Sequence, residues 1–119
     1  MAGSIVDKKA YSFALQIIFL YKRLVAEKKE FVLSKQLLRS GTAIGALIRE
    51  SEHAQSKRDF LNKINIALKE ANETKYWLQL LLDSEYISKS DFEIMFPLID
   101  ELIKILASIV KTTKINLGI

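Results

Sequence analysis

The chain of 119 residues has no cysteine, one proline and four glycines, is 50% hydrophobic, and carries a formal net charge of +4. No cysteine means no disulfide framework, no thiolate metal site and no cysteine nucleophile; the longest apolar run, Ile17 to Tyr21, is far short of the roughly 20 residues that span a bilayer. The length suits one domain over residues 1–119, and the mild basicity permits a nucleic-acid partner without requiring one.

Asp7, Lys8 and Lys9 precede the first apolar stretch and no small-residue cleavage site follows it. No signal peptide is therefore read, and a soluble, cytoplasmic protein is expected. The scarcity of helix breakers, with abundant Leu, Ile, Ala, Lys and Glu, favours long helices.

The first helix is expected from about Ile5 to Lys29, with Ser4 and Asp7 at capping-box spacing. Its apolar stripe is Phe13, Ile17, Leu20 and Leu24, flanked by Ala14, Ile18, Tyr21 and Val25. A second helix is predicted from Ser34, read as its N-cap, to about Ala54, with the stripe Leu37, Leu38, Gly41, Ile44, Gly45 and Ile48. The third begins at Ser56, where Ser56-Lys57-Arg58-Asp59 has capping-box form. Its core positions Phe60, Ile64, Ala67, Ala71, Thr74, Leu78 and Leu81 step by four and three. The fourth is predicted from Ser90, with Glu93 three residues on, to about Thr113, and a kink is expected at Pro97.

Short connections make sequential helices antiparallel neighbours, so the fold class is an all-α, up-down four-helix bundle. Placing the turn between the second and third helices near Gln55 and Ser56 sets Gly41 against Ala71 and Gly45 against Ala67. Small residues then oppose small residues in a close helix–helix approach, and the same register sets Arg39 beside Glu73 as an inter-helix ion pair.

Candidate chemistry is sparse. Glu50 and His53 have the Glu-x-x-His spacing of di-iron bundles, but His53 is the only histidine, and Glu70 and Glu73 lie on the order of 13 Å along the third helix from the level facing Glu50, too far for shared ligation. No metal site and no cofactor are expected. A serine triad lacks its base, and Gly41-x-x-x-Gly45 lies inside a helix instead of a phosphate loop. The chain is therefore read as non-catalytic. Glu50, Glu70 and Glu73 read as register-holding carboxylates, and Tyr76 and Trp77 as aromatics that cap the core or anchor an interface.

Charge is unevenly placed. The end formed by the termini and the turn between the second and third helices holds Lys8, Lys9, Arg49, Lys57, Arg58, Lys63, Lys111 and Lys114, opposed only by Asp7, Glu50, Glu52 and Asp59. At the opposite end cations and acids nearly balance. The basic end is the candidate contact for nucleic-acid phosphates. Additional apolar residues outside the core-facing lines, Ile18, Tyr21 and Val25 on the first helix and Leu61, Leu68 and Leu82 on the third, point to a homo-oligomer.

The stretch Leu38 to Ser51, followed by Ala54-Gln55-Ser56-Lys57-Arg58-Asp59-Phe60 and by Ile66 to Leu78, resembles the family of four-helix bundle proteins encoded by intervening sequences in bacterial 23S ribosomal RNA genes. That family often carries the label S23 ribosomal protein, although it is not an established ribosome component. The chain is also similar to the accessory variability protein of diversity-generating retroelements. The resemblance spans nearly the whole chain and rests on Arg39, Ser40, Gly41, Ile44, Gly45, Glu50, Ser56, Asp59, Phe60, Ala67, Glu70, Glu73, Tyr76 and Trp77. It implies a ring-shaped homopentamer and, for the retroelement relatives, nucleic-acid binding and association with a reverse transcriptase. Ala43, Leu47 and Ser51 depart from the family's usual serine, asparagine and smaller residue, so the polar group that asparagine would supply is missing at Leu47.

The sequence thus predicts a non-catalytic, homo-oligomeric binding or scaffold bundle whose basic end meets RNA or DNA. The alternative is a protein-binding adaptor with no nucleic-acid role.

Overall fold

A computed structural model describes residues 3–119; the first two positions of the expected 1–119 domain lie outside it. Four α-helices account for the described chain: α1 (Ile5–Lys28), α2 (Leu33–Ser51), α3 (Lys57–Asp83) and α4 (Lys89–Leu117). They form a rod of 48 × 22 × 21 Å. Each packs on its sequence neighbour, and α1 meets α4 along a looser seam. Ion pairs join Asp7 in the first turn of α1 to Arg49 in the last turn of α2, and Arg23 late on α1 to Asp91 in the first turn of α4, so α1 runs opposite to both; Lys75–Asp100 and Lys9–Glu101 tie α3 and α1 to the middle of α4.

The helix starts show how local chemistry sets the boundaries. Ser4, Ser56 and Ser88 each cap a helix by accepting the amide of the residue three positions on, which is aspartate every time. At two of them the aspartate reaches back to the residue before the serine: Asp7 accepts the Gly3 amide at 3.3 Å and Asp59 accepts that of Gln55 at 3.1 Å. Two expected starts are corrected. The fourth helix is capped by Ser88 with Asp91, in place of Ser90 with Glu93, and runs on to Leu117 before Gly118 turns it off at φ 73°. Ser34 is not an N-cap; it lies inside α2, buried. The capping falls to Glu30, whose carboxylate accepts the amides of Val32, Leu33 and Ser34 at 3.0, 3.1 and 2.6 Å. Four residues upstream of Ser34, Glu30 can reach several orphan donors at once, whereas a serine reaches one. The second helix also stops at Ser51, short of Ala54.

Lys29 ends α1 in the left-handed region, at φ 52°, which turns the chain sharply into α2. Helix α4 continues unbroken through Pro97, whose ring is exposed on the outer side.

The core contains the expected stripes: Phe13, Ile17, Leu20 and Leu24 of α1, Leu37, Ile44 and Ile48 of α2, Ile64, Ala67, Ala71, Leu78 and Leu81 of α3, and Met95, Ile99, Leu102 and Leu106 of α4. The glycines of α2 face a different neighbour from the one their register predicted. The atoms nearest a Cβ placed on Gly41 belong to Ile17, and those nearest one on Gly45 belong to Ala10, both on α1. The small-residue approach is therefore between α2 and α1, while Ala67 and Ala71 are fully buried in the general core. The hairpin register set heights along the α2–α3 pair correctly enough to bring Arg39 to Glu73, but height does not determine which way a side chain points around the helix.

The apolar residues that pointed to an oligomer also need correction. Leu61 is buried, and Ile18, Tyr21, Val25, Leu68 and Leu82 are half-buried within the chain. The large apolar side chains left outside on α1 are Ile5, Tyr11, Leu15 and Phe19.

Candidate nucleic-acid interface

The alternating helices bring the first turns of α1, the α2–α3 turn and the last turns of α4 to one end of the rod. This end holds Lys8 and Lys9 from α1, Arg49 from the last turn of α2, Lys57, Arg58 and Lys63 from the start of α3, and Lys111 and Lys114 from α4. All are exposed except Lys63, which is half-exposed.

Two of these cations are engaged within the chain. Arg49 Nε donates to Asp7 Oδ1 at 3.0 Å while its guanidinium lies 5.0 Å from the centre of the Tyr11 ring. Asp7 is buried, yet its carboxyl is held below the usual carboxylate range, first by the Arg49 hydrogen bond, against the opposing effect of burial, and then by the Gly3 amide. The same hydrogen bond holds the Arg49 guanidinium more firmly charged. Lys9 Nζ meets Glu101 Oε1 at 2.9 Å. The remaining cations, Lys8, Lys57, Arg58, Lys63, Lys111 and Lys114, form no ion pair among the described residues. Of the acids at this end, Asp59 is taken up by its cap, Glu50 is exposed, and Glu52 Oε1 is buried without a hydrogen-bond partner among the described residues.

Glu50 and His53 both face solvent, and no group of three or more metal-capable side chains is present among the described residues.

Midway along the bundle sits a polar cluster of which the register argument anticipated only one pair. Arg39 Nη1 donates to Glu70 Oε2 at 2.7 Å and Nη2 to Glu73 Oε2. Trp77 Nε1 also donates to Glu73, at 3.3 Å. Beneath them the hydroxyls of Ser40 and Thr74 lie 2.9 Å apart, both fully buried. Glu70, at 7% exposure, is the member that sequence reasoning left without a specific partner. The signal that could have found it is its three-residue spacing from Glu73, which puts both carboxylates on one face within reach of one guanidinium. The Tyr76 ring stands edge-on to Trp77, centres 5.2 Å apart, and is 57% exposed.

A cleft of about 430 Å³ lies at the opposite end, between α1 and the α3–α4 turn. Leu20, Leu24 and Ile87 contribute apolar walls, and Arg23, Lys28 and Lys89 are balanced by Glu27, Glu85 and Asp91, with Arg23 tied to Asp91 at 3.2 Å. It offers no field of one sign, unlike the basic end.

Comparison with known proteins places the chain. No curated protein matches it. A crystal structure of a protein of unknown function from the S23 ribosomal protein family of Bacteroides thetaiotaomicron VPI-5482 is 58% identical, covers 90% of this chain and 99% of its own, and superposes with a TM-score of 0.89. The family model for the 23S rRNA-intervening sequence protein matches residues 3–108, and on that match, spanning all but the ends, the chain belongs to the 23S rRNA-intervening sequence protein family.

Proposed function

We propose that the chain is a non-catalytic, homo-oligomeric bundle that holds nucleic-acid phosphates against the end where its termini and the α2–α3 turn meet. The observation that carries this reading is the set of accessible cations Lys8, Lys57, Arg58, Lys63, Lys111 and Lys114, none of them paired with an acid among the described residues. Long cationic side chains of this kind suit phosphate contact, which is sequence-independent and strengthened by counterion release. A ring of same-way-up copies, pentameric by the family resemblance, would repeat the cluster around its axis and multiply the field. A reverse transcriptase as protein partner rests on the resemblance to the retroelement proteins alone. A cytoplasmic location fits the cysteine-free composition.

Filter binding of a structured RNA at about 50 and 200 mM salt tests the reading. Affinity should fall steeply as salt rises, by on the order of 0.7–0.9 in log K per log salt for each phosphate contacted. The double charge reversal K57E/R58E should remove most binding, whereas K89E at the far end should leave it unchanged. Binding that is absent at low salt, or indifferent to salt, rejects the proposal.

A second observation favours the adaptor alternative. Phe31 and Val32 on the α1–α2 turn are 53% and 71% exposed at the opposite end. If the adaptor reading holds, F31S/V32S abolishes capture of a protein partner and K57E/R58E leaves it intact.

A further inference from the structure

The free cations of the basic end account for phosphate contact, but one aromatic side chain stands near them with no part in the core. Tyr11, in the second turn of α1, is 53% exposed, whereas Phe13 and Phe60 are buried and half-buried. It belongs neither to the core nor to the side chains packed against it. A ring left outside gives the fold none of the burial its area could supply.

The ring is nonetheless held. The Arg49 guanidinium lies over one face, 5.0 Å from the ring centre. Arg49 is anchored in turn by its Nε hydrogen bond to Asp7 Oδ1 at 3.0 Å, and Asp7, only 6% exposed, accepts the Gly3 amide. The contacts run from the cap of α1 through a buried carboxylate to the back of the ring. No second ring or cation meets Tyr11 among the described residues, and at its exposure the other face is open to solvent. Lys8 lies three residues earlier, one turn away on the same side of α1. It is exposed and forms no ion pair among the described residues.

These parts match one chemistry. Every nucleobase has a π face, so bases stack on an exposed aromatic ring whatever their identity, while nearby cations follow the sugar–phosphate chain. In a duplex those faces are covered by neighbouring base pairs, and only an unpaired base can turn one toward a side chain. A ring already fixed by Arg49 loses little freedom on binding. A lysine one helical turn away, about 5 Å, suits the phosphate next to the stacked base.

We propose that the open face of Tyr11 receives an unpaired nucleobase while Lys8 meets the adjoining phosphate, so that the basic end takes single-stranded nucleic acid in preference to duplex. The proposal rests on the phosphate-binding reading above and names its substrate class. Salt separates the two contributions, because phosphate contact weakens with each counterion released and stacking does not.

Fluorescence anisotropy with three labelled RNAs of one length provides the test: a single strand, the same strand carrying abasic residues, and a duplex. The parent should bind the single strand more tightly than the duplex, and on the order of tenfold more tightly than the abasic strand. Tyr11→Ala should remove that tenfold difference, leave the abasic strand and the duplex bound as before, and keep the log–log salt slope. Tyr11→Phe keeps the ring and should behave like the parent. Lys8→Gln should lower the slope on the single strand by about one contact. Circular dichroism checks that each variant folds. Equal weakening of all three RNAs by Tyr11→Ala, a base preference that survives it, or a parent that favours duplex or ignores the loss of bases overturns the platform and leaves the phosphate reading standing. A parent that binds none of the three at low salt overturns both.

Discussion

Gly41 and Gly45 sit one turn apart on α2, and the same substitution should act in opposite directions at the two positions. A Cβ on Gly41 would lie 2.8 Å from Cγ1 of Ile17, 3.0 Å from Cγ2 and 3.2 Å from Cδ1. Favourable carbon–carbon contact begins near 3.5 Å, and Ile17 is fully buried, so it can retreat only by displacing other core side chains. A Cβ on Gly45 would meet its nearest atom, the Ala10 Cβ, at 3.6 Å, an ordinary contact. Replacing glycine by alanine inside a helix gains about 0.5–1 kcal/mol. At Gly45 that gain stands alone, so G45A should stabilise by roughly that amount. At Gly41 it is opposed by overpacking, typically about 1–3 kcal/mol, so G41A should lose roughly 1 kcal/mol net. Urea unfolding followed by circular dichroism, at one protein concentration, reads both midpoints. A double-mutant cycle strengthens the test. Ile17→Ala alone should cost about 2–5 kcal/mol, and about 1 kcal/mol less in the G41A background, where the added methyl fills part of the space. A G41A protein more stable than the parent, or strict additivity with Ile17→Ala, would refute the packing argument.

Three further outcomes are expected. Burial pushes the Glu30 carboxyl up, but the amides of Ser34, Val32 and Leu33 outweigh it, and the group titrates below its ordinary value of 4.5. Its stabilisation is therefore present above that value and lost as pH falls through the lower folded value; in thermal melts between pH 6 and pH 3, Glu30→Gln should be less stable than the parent near neutrality and less sensitive to acid, and parallel pH profiles would count against the role. Arg39→Met leaves Glu70 buried with no cation and should cost about 1–3 kcal/mol in urea unfolding, with Arg39→Lys in between; a neutral Arg39→Met would mean the cluster contributes nothing net. Asp7→Asn frees Arg49 at the basic end, so RNA affinity should rise and the log–log salt slope steepen by about one contact; an unchanged slope would show that Arg49 cannot reach phosphate.

Much of the fold was legible because periodicity and burial are the same physics. Phe13, Ile17, Leu20 and Leu24 recur at helical spacing, and all four are in the core. Boundaries were harder where two polar residues competed. Ser88 with Asp91 and Ser90 with Glu93 are the same motif two residues apart, and nothing local decides between them; the earlier serine caps because Ile87 is buried ahead of it and holds the turn against the core. Glu30 was missed because glutamate is rarely an N-cap, and its role depends on a sharp turn at Lys29 that a residue other than glycine supplies with φ 52°. The α2 glycines were matched to the wrong helix because a hairpin register carries axial information only.

The candidate site shows a further layer that counting charges does not reach. Summing cations by bundle end treats Arg49 and Lys9 like Lys57 and Arg58, yet the fold assigns them different duties. Asp7 sits in the capping turn of α1, and its buried carboxylate, already committed to the Gly3 amide, draws the Arg49 guanidinium inward to close the α1–α2 corner. Glu101 draws Lys9 across the α1–α4 seam in the same way. Each pair forms where an acid is fixed by secondary structure at the height of a cation on the facing helix, so structural pairing removes the cations nearest the helix seams first. Those left over stand early on α3, in the first turn of α1 and late on α4, exposed or half-exposed and forming no ion pair among the described residues. What survives this subtraction is a rim of lysines and one arginine around the end of the rod, and that geometry, not the net charge of +4, is what a phosphate backbone would meet.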